Sequence, residues 1–402
     1  MRPPEHLAYT PAQRALRAEL RAYFAALVTA DVRRDLRLPD TSTATSRTLH
    51  LKLGADGWLG VGWPREYGGR GLTPVEQFIF FDEAARAGCP LPLVALNTVG
   101  PTLMRYGSPE QKDLILPGIL SGEIDVAAGY SEPGAGTDLA SLATRAVRTE
   151  DGAAYVVNGQ KIFTTHGDSA EYVWLACRTD PDAPKHKGIS ILLVDTRSPG
   201  FEATKIHTIA SHYTTATYYH DVRVPAAMRV GAENEGWKLI TTQLNHERVA
   251  LAAVAQGVIR SFAKVQRWAA ETPAADGKRV LDLPWVKATM ARAYVRISGL
   301  RLLNGQMVAA LQKDQTGGHL SPADASAAKV HGTETHIEAL AELLQVLGAG
   351  GILKDGSPGA LLAGDLEFLY RYAVTNTFGG GANEIQREII AMTGLAMPRV
   401  RR

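Results

Sequence analysis

The stretch Ala154-Tyr-Val-Val-Asn-Gly-Gln160 decides the fold class, because it breaks the helical periodicity of the residues before it. Its β-branched and aromatic residues are typical of a strand, and the Asn-Gly pair at 158–159 predicts a tight hairpin turn. Further short apolar runs follow at 171–177, 188–194 and 218–224. We therefore predict an antiparallel, barrel-like β domain over residues 126–232.

On both sides of this domain, apolar residues recur with the helical period. Thr10 followed by Pro11 has the N-cap oxygen and the first-turn proline of a helix start. Helices are predicted at about 41–57, 74–87, 92–105, 237–268, 284–313, 322–347, 359–375 and 383–396. The predicted fold class is α+β multidomain, with an N-terminal helical domain over 1–125 and a C-terminal helical bundle over 233–402.

Composition and charge exclude several classes of protein. The chain has 402 residues, of which 45% are hydrophobic and 21% charged, an ordinary globular composition. The formal net charge is +2, and no run of like charges indicates a nucleic-acid surface. No stretch reaches the ~18–20 apolar residues that span a bilayer, and the N-terminus lacks a signal-peptide core. Cys89 and Cys177 have no CxxC spacing, which favours reduced thiols and a cytoplasmic location.

The segment Gly129-Tyr-Ser-Glu-Pro-Gly-Ala-Gly-Thr-Asp138 has the strongest local signal for a ligand. Its glycines allow close backbone approach, and the hydroxyls of Ser131 and Thr137 can hold a polar cofactor edge or a pyrophosphate. The segment lacks the G-x-G-x-x-G spacing of a Rossmann fingerprint. Taken alone, such a segment is more often only a turn.

Three more segments change that interpretation. They are Val157-Asn-Gly-Gln-Lys-Ile-Phe-Thr-Thr165, Gln243-Leu-Asn-His-Glu-Arg-Val-Ala250 and Phe378-Gly-Gly-Gly-Ala-Asn-Glu-Ile-Gln-Arg387. Together with residues 129–138, and in this order, they resemble the acyl-CoA dehydrogenase family over nearly the whole chain. The resemblance implies an N-terminal helical domain, a middle β domain and a C-terminal four-helix bundle, with FAD bound between the last two.

The resemblance also implies which residues bind the FAD. Thr165 matches a position near flavin N5, and Phe163 stands where many members have tryptophan. Arg279 and its companions on the C-terminal bundle match positions that reach the ADP half from a neighbouring subunit, although the loop after Arg279 departs from the family's Phe-Gly pattern. The implied cofactor-binding set is Tyr130, Ser131, Gly136, Thr137, Phe163, Thr164, Thr165, Arg279, Gln345, Gly348 and Glu384.

The family's reaction removes the α-proton of an acyl-CoA thioester while a hydride leaves the β-carbon for the flavin. Most members place the basic glutamate just before the Gly-Thr of the C-terminal motif, where this chain has Gly380. A minority place it on the first helix of the bundle, directly before an arginine, and Glu247-Arg248 matches that arrangement. Taken alone, a helical glutamate is usually a surface residue. The resemblance implies that Glu247 is the base and that the substrate-binding set is Thr137, Asn245, Arg248, Gly380 and Gly381.

Several features look closest to the actinobacterial acyl-CoA dehydrogenases that act on steroid side chains, among them Glu235-Gly-Trp-Lys-Leu and residues 217–225, 243–249 and 378–383. In that group two unlike chains form an α2β2 heterotetramer, and one chain supplies the glutamate. The resemblance therefore implies a catalytic chain, a bulky steroid-type CoA thioester and a second, similar chain as partner. A homotetramer is the alternative assembly, and electron-transfer flavoprotein is the expected electron acceptor.

Two other functions stay open from the sequence. An acyl-CoA oxidase or flavin monooxygenase can use the same fold, and a non-catalytic subunit can complete a partner's site. No metal site is predicted, because His207, His212 and His220 lack ligand partners at useful spacing.

Overall fold

The computed structural model describes residues 9–38, 42–210, 212–241, 256–275, 277–314 and 321–398. Its N-terminal part is helical, and a π-helical turn at Val94–Val99 leads into the fifth α-helix. The helices are α1 (Pro11–Leu27), α2 (Ala30–Asp35), α3 (Ser42–Ala55), α4 (Pro74–Ala87), α5 (Gly100–Tyr106) and α6 (Pro109–Ser121).

Local sequence explains where three of these helices begin. Thr10, Thr73 and Ser108 each precede a proline, and each N-cap hydroxyl accepts a hydrogen bond from a first-turn N–H while the N3 side chain bonds back to the cap. These are capping boxes, which satisfy donors that the helix itself leaves unpaired. The helix start predicted at Thr10-Pro11 is confirmed.

Within the described residues, the middle of the chain forms one sheet of eight strands. The strands are β1 (Val126–Gly129), β2 (Arg145–Arg148), β3 (Ala154–Lys161), β4 (Tyr172–Arg178), β5 (Ile189–Asp195), β6 (Phe201–His207), β7 (Tyr213–Pro225) and β8 (Arg229–Val230). Their order in the sheet is β6-β7-β3-β2-β4-β5-β8, with β1 beside β4. Most neighbours are antiparallel, as predicted, but β1 and β2 each pair with β4 in parallel.

The hairpin turn predicted at Asn158-Gly159 is wrong, because both residues lie inside β3. Val157 pairs with Val222 and Gly159 with Tyr219, so β7 has one extra residue here and forms a bulge. Asp221, at φ 51°, lies in this bulge and is bonded through its N–H to the Asn158 side-chain oxygen at 3.0 Å.

Glycine is required at 159 for a different reason. Gly159 has a φ of +149°, and a Cβ on this residue would lie 2.7 Å from the Cα of Thr144. Gly159 therefore lets β3 pass close to Thr144, and Asn158 binds the bulge of β7. The bulge lies far along the chain, so the local turn signal does not encode this pairing.

Both faces of the central strands are buried, which is why they appear as continuous apolar runs. On β4, Trp174 and Ala176 join a core shared with the N-terminal helices. Val173 and Leu175 point the other way, into a second core formed with β3 and β7. The sheet and the N-terminal helices therefore share one core. The glycine-rich segment 129–138 begins at the last residue of β1.

The C-terminal part is helical again, and a third core joins its long helices. Residues 236–241 are helical, and residues 242–255 lie outside the described part of the chain. The remaining helices are α7 (Gln256–Glu271), α8 (Pro284–Asp314), α9 (Pro322–Leu347), α10 (Asp365–Ala373) and α11 (Asn383–Ile389).

The helix predicted over 359–375 is wrong in its first part. Leu362 and Ala363 have φ values of 50° and 53°, and Gly364 has a left-handed φ as well, so α10 begins only at Asp365. Across the described ranges, no helix is both long and apolar enough to cross a bilayer.

Candidate active site

The glycine-rich segment 129–138 is held from beneath by a buried ion pair. Lys161, at the end of β3, is 0% exposed and Glu132 is 8% exposed. The Lys161 Nζ lies 2.7 Å from Glu132 Oε1 and donates to the Tyr130 carbonyl at 3.0 Å. Glu132 also accepts the backbone N–H groups of Ala143 and Thr144, at 2.7 and 2.8 Å. The pair therefore fixes the backbone of the segment on both sides of Ser131.

Charge and burial act against each other in this pair. Burial alone would raise the pKa of the Glu132 carboxyl, but the Lys161 ammonium and the N–H donors outweigh it and lower that pKa. Burial lowers the pKa of Lys161, and the Glu132 charge opposes that shift. Neither residue was predicted as part of the site, although both lie in the segments that carry the family resemblance.

The outer side of the same segment is open. A Cβ placed at Gly134 or Gly136 would meet no heavy atom within 4 Å. Thr137 is exposed and Ser131 is half-buried, so both can present a hydroxyl to a ligand. The segment therefore has a backbone fixed on its inner side and an outer surface on which a ligand can lie.

The turn after β3 has a strained backbone beside this surface. Phe163 and His166 have φ values of 60° and 66°, which lie in the left-handed region that side chains disfavour. Phe163 is nevertheless 62% exposed, and the Ile162 N–H donates to the Ser131 carbonyl at 2.8 Å. Backbone strain of this kind is concentrated at functional sites.

Thr164 and Thr165 of this turn have opposite surroundings. Thr164 is 0% exposed, and its N–H donates to the Thr215 carbonyl at 2.9 Å. The cofactor contact predicted for Thr164 stays a prediction, and the residue has no exposed surface in the described part of the chain. Thr165 is exposed, with its Oγ1 3.1 Å from Thr214 Oγ1, so it can present its hydroxyl to a ligand.

A side-chain hydrogen bond also holds the end of this turn. His166 Nδ1 lies 3.2 Å from Asp125 Oδ2, directly before β1. The hydrogen bond to Asp125 raises the pKa of His166. The turn is therefore tied to the start of β1 as well as to the glycine-rich segment.

The second glycine-rich segment, residues 378–382, leads into α11. Gly380 and Gly381 are exposed and have φ values of 66° and 97°. A Cβ at 381 would lie 2.6 Å from Gln386 Nε2. Glu384 is exposed in the first turn of α11, where its carboxylate is available to a ligand.

Two of the residues predicted to reach the ADP half, Gln345 and Gly348, lie at the end of α9. Gln345 is exposed, and its carbonyl accepts the Gly348 N–H. Gly348 has φ 62° and ψ −147°, a conformation essentially restricted to glycine. Arg279 is engaged with Asp282 of its own chain, at 2.7 and 3.1 Å, and this pair lowers the pKa of Asp282 to about 2.

Several predicted residues cannot be placed. Asn245, Glu247 and Arg248 lie outside the described residues. Within the described ranges, no group of three or more His, Cys, Asp or Glu side chains is arranged to hold a metal ion. Cys89 and Cys177 are buried, and burial raises the pKa of each thiol to about 12, which disfavours a nucleophilic role.

Comparison with known proteins identifies the family. Models of the acyl-CoA dehydrogenase N-terminal, middle and C-terminal domains match residues 10–123, 127–222 and 234–395. Acyl-CoA dehydrogenase FadE26 of Mycobacterium tuberculosis is 49% identical, over 98% of this chain and 100% of that protein. The chain belongs to the acyl-CoA dehydrogenase family.

Solved structures agree with this assignment. A structure named the Tcur3481-Tcur3483 steroid ACAD has a TM-score of 0.92 and 51% identity, covering 98% of this chain and 100% of that one. The ChsE4-ChsE5 complex of M. tuberculosis has a TM-score of 0.90 and 50% identity, covering 98% and 99%. The predicted family and fold are confirmed, and the protein is an acyl-CoA dehydrogenase by class.

Proposed function

We propose that this acyl-CoA dehydrogenase uses FAD to convert a bulky, steroid-type acyl-CoA to its trans-2-enoyl-CoA, with Glu247 as the base for the α-proton. One observation carries the proposal. Gly380 leaves the usual base position without a side chain, while Glu247-Arg248 matches the family's alternative base position.

The described residues fit a flavin. The open surface at Gly134 and Gly136 belongs to one segment, and the exposed Phe163 and Thr165 belong to a second segment that is joined to the first by the Ile162–Ser131 backbone hydrogen bond. Such a pair of segments can support a large planar group and donate to its polar edge. Bound FAD would supply the acceptor for the hydride that leaves the β-carbon. We propose Tyr130, Ser131, Gly136, Thr137, Phe163, Thr165, Arg279, Gln345, Gly348 and Glu384 as its contacts, with Thr164 only positioning the turn.

Different residues of the chain would polarise the thioester carbonyl and remove the α-proton. An α-C–H is a weak acid, so the thioester oxygen must be polarised, and the Gly380 backbone N–H is proposed to donate to it. Glu247 would take the proton, and exclusion of water from its carboxylate would make it a stronger base. Thr137, Asn245, Arg248 and Gly381 complete the proposed substrate contacts.

The steroid assignment rests on two features. The relative named a steroid ACAD is 51% identical to this chain. Gly380 also leaves space beside the α-carbon, which suits a branched or polycyclic acyl group. A clear preference for linear acyl-CoAs over a steroid side-chain CoA would refute this part of the proposal.

We also propose an α2β2 assembly with a second acyl-CoA dehydrogenase chain. One solved structure at 50% identity is the ChsE4-ChsE5 complex, which supports a second chain as partner. On α8, the large apolar side chains of Trp285, Tyr294 and Val295 are 52%, 59% and 69% exposed, and a partner chain could cover them. Electron-transfer flavoprotein is the proposed electron acceptor, and a homotetramer is the alternative assembly.

The decisive experiment replaces Glu247 by Gln in the complex formed with its partner chain. We expect turnover to fall by about 10²–10⁴-fold, the usual contribution of a general base, while the bound flavin keeps its absorbance spectrum. Glu271→Gln, on the exposed end of α7, is the matched control. Unchanged turnover in Glu247→Gln would favour a non-catalytic subunit, and peroxide release in place of dye reduction would favour an oxidase or monooxygenase.

A further inference from the structure

Lys329 is a buried lysine on α9 that faces the second glycine-rich segment. Only 7% of the residue is exposed. Its Nζ donates to the carbonyls of Thr377 and Gly381, at 3.1 and 2.8 Å, and to Asn383 Oδ1 at 2.7 Å. An ammonium group has three N–H donors, so these bonds use all of them and leave none for a ligand.

The three acceptors bracket the segment. Thr377 and Gly381 stand on either side of Gly380, and Asn383 is the first residue of α11. The Asn383 side-chain amide donates in turn to Thr333 Oγ1 at 3.1 Å, one turn along α9 from Lys329. Helix α9 thus holds the segment at both ends.

The segment needs such an anchor because its own backbone gives it little rigidity. It has two successive left-handed glycines, and glycine has the largest conformational freedom of any residue. A backbone N–H must be held within a fraction of an ångström to act on a developing charge.

We propose that Lys329 is a positioning residue: by binding the carbonyls of Thr377 and Gly381 it fixes the Gly380 N–H for the thioester oxygen. The role of that N–H rests on the proposed function. The anchoring of the segment does not.

The protonation state of Lys329 decides whether all three of its hydrogen bonds can form, and the surrounding charged groups influence that state. Burial lowers the pKa of Lys329 to about 8, while Glu384 and Glu334 act in the opposite direction. A neutral amine has two N–H donors for three acceptors, and its lone pair faces the third. The anchor should therefore weaken as the pH rises through about 8.

The test compares Lys329→Met with Lys354→Met, an exposed lysine in the same part of the chain. Hydrogen exchange of the peptide covering 377–383 reads the anchor directly in the purified holo complex. We expect exchange in Lys329→Met to be about tenfold faster or more, as for the loss of a charge-assisted bond, with no change in Lys354→Met. In the wild type, exchange corrected for its intrinsic pH dependence should rise above pH about 8, and in Lys329→Met it should not.

Turnover gives the second readout. We expect kcat to fall about tenfold in Lys329→Met with little change in KM, because carbonyl polarisation is needed most in the transition state. Lys329→Arg keeps a charged donor and should recover part of the loss in both measurements. If Lys329→Met does not fold, Lys329→Arg and the wild-type pH series carry the test.

The outcomes separate the two proposals. Unchanged exchange in 377–383 for Lys329→Met would overturn the anchoring, and no pH response in the wild type would overturn its weakening above pH about 8. Faster exchange with unchanged kcat would show that the anchored N–H does not serve the reaction, and so would overturn the positioning role. Loss of the dehydrogenase proposal alone would leave the exchange result standing.

Discussion

Removing the Lys161 ammonium tests how the first glycine-rich segment is stabilised. In Lys161→Met the Glu132 carboxylate stays buried without its cation. Breaking a buried ion pair from one side typically costs about 3–5 kcal/mol. The N–H groups of Ala143 and Thr144 still reach Glu132, so we expect the lower end of that range.

The chain supplies a matched control on the same segment. Lys185 Nζ lies 2.7 Å from Asp138 Oδ2, the same distance as in the buried pair, but these side chains are 52% and 55% exposed. Exposed pairs contribute about 0.2–1 kcal/mol, so Lys185→Met should cost several-fold less than Lys161→Met.

Denaturant unfolding at fixed protein concentration would measure both variants. Trp174 is a local reporter, because it is fully buried and its Nε1 donates to Tyr130 Oη at 3.1 Å. Adding Glu132→Gln to Lys161→Met should restore part of the loss, because the amide carries no buried charge and its oxygen still accepts one of the two N–H groups, which reach different oxygens of Glu132. Equal losses in Lys161→Met and Lys185→Met would refute the reasoning, because burial would then not decide the cost.

Three further predictions test other features of the site. Gly159→Ala should destabilise the protein by about 1–3 kcal/mol, measured by unfolding, because its Cβ would clash with the Thr144 backbone; a neutral result would contradict the close approach. Asp125→Asn should lower the pKa of His166, measured by NMR titration, and reduce stability most below the histidine's ordinary pKa of 6.5, with the difference vanishing as the pH rises through the raised value; an unshifted titration would exclude the ion pair. Phe163→Asn should raise the free energy of unfolding of the flavin-free protein by up to about 1 kcal/mol, because asparagine tolerates a left-handed φ. The same variant should retain flavin less well, and unchanged flavin retention would remove Phe163 from the proposed contacts.

The sequence predicts the architecture well because its signals are local and repeated. Caps such as Thr10-Pro11 and doubly buried strands such as β4 depend on neighbours in the chain. The two errors, at 158–159 and 359–364, have one cause. Each segment takes its shape from distant residues: Asn158 from the bulge at Asp221, and Ala363 from Arg37, whose guanidinium donates to its carbonyl at 3.1 Å.

Motif resemblance predicts exposed and buried positions of the candidate site alike. Motif resemblance indicates Thr165 and Gly380, which are exposed, but it gives the same weight to Thr164, which is fully buried. Burial in the sheet depends on strand pairing, and here β3 pairs with β7 more than fifty residues later along the chain. Resemblance alone therefore does not separate an exposed position from its buried neighbour.

Both glycine-rich segments are supported from below by a buried lysine, and the sequence contained the signal for each. Strand alternation from Tyr155 and Val157 places 161 on the inner face of β3, and helical spacing from Ser326 and His336 places 329 on the inner face of α9. Lysine's usual preference for water hides both positions. A glycine segment that is open to a ligand has no side chains with which to hold itself, so its carbonyls must be bound from the protein side. A long cationic side chain can bind two or three of them at once, because it carries three donors on a flexible stem. In each segment, backbone that is open to solvent is thus held by a side chain that is itself buried.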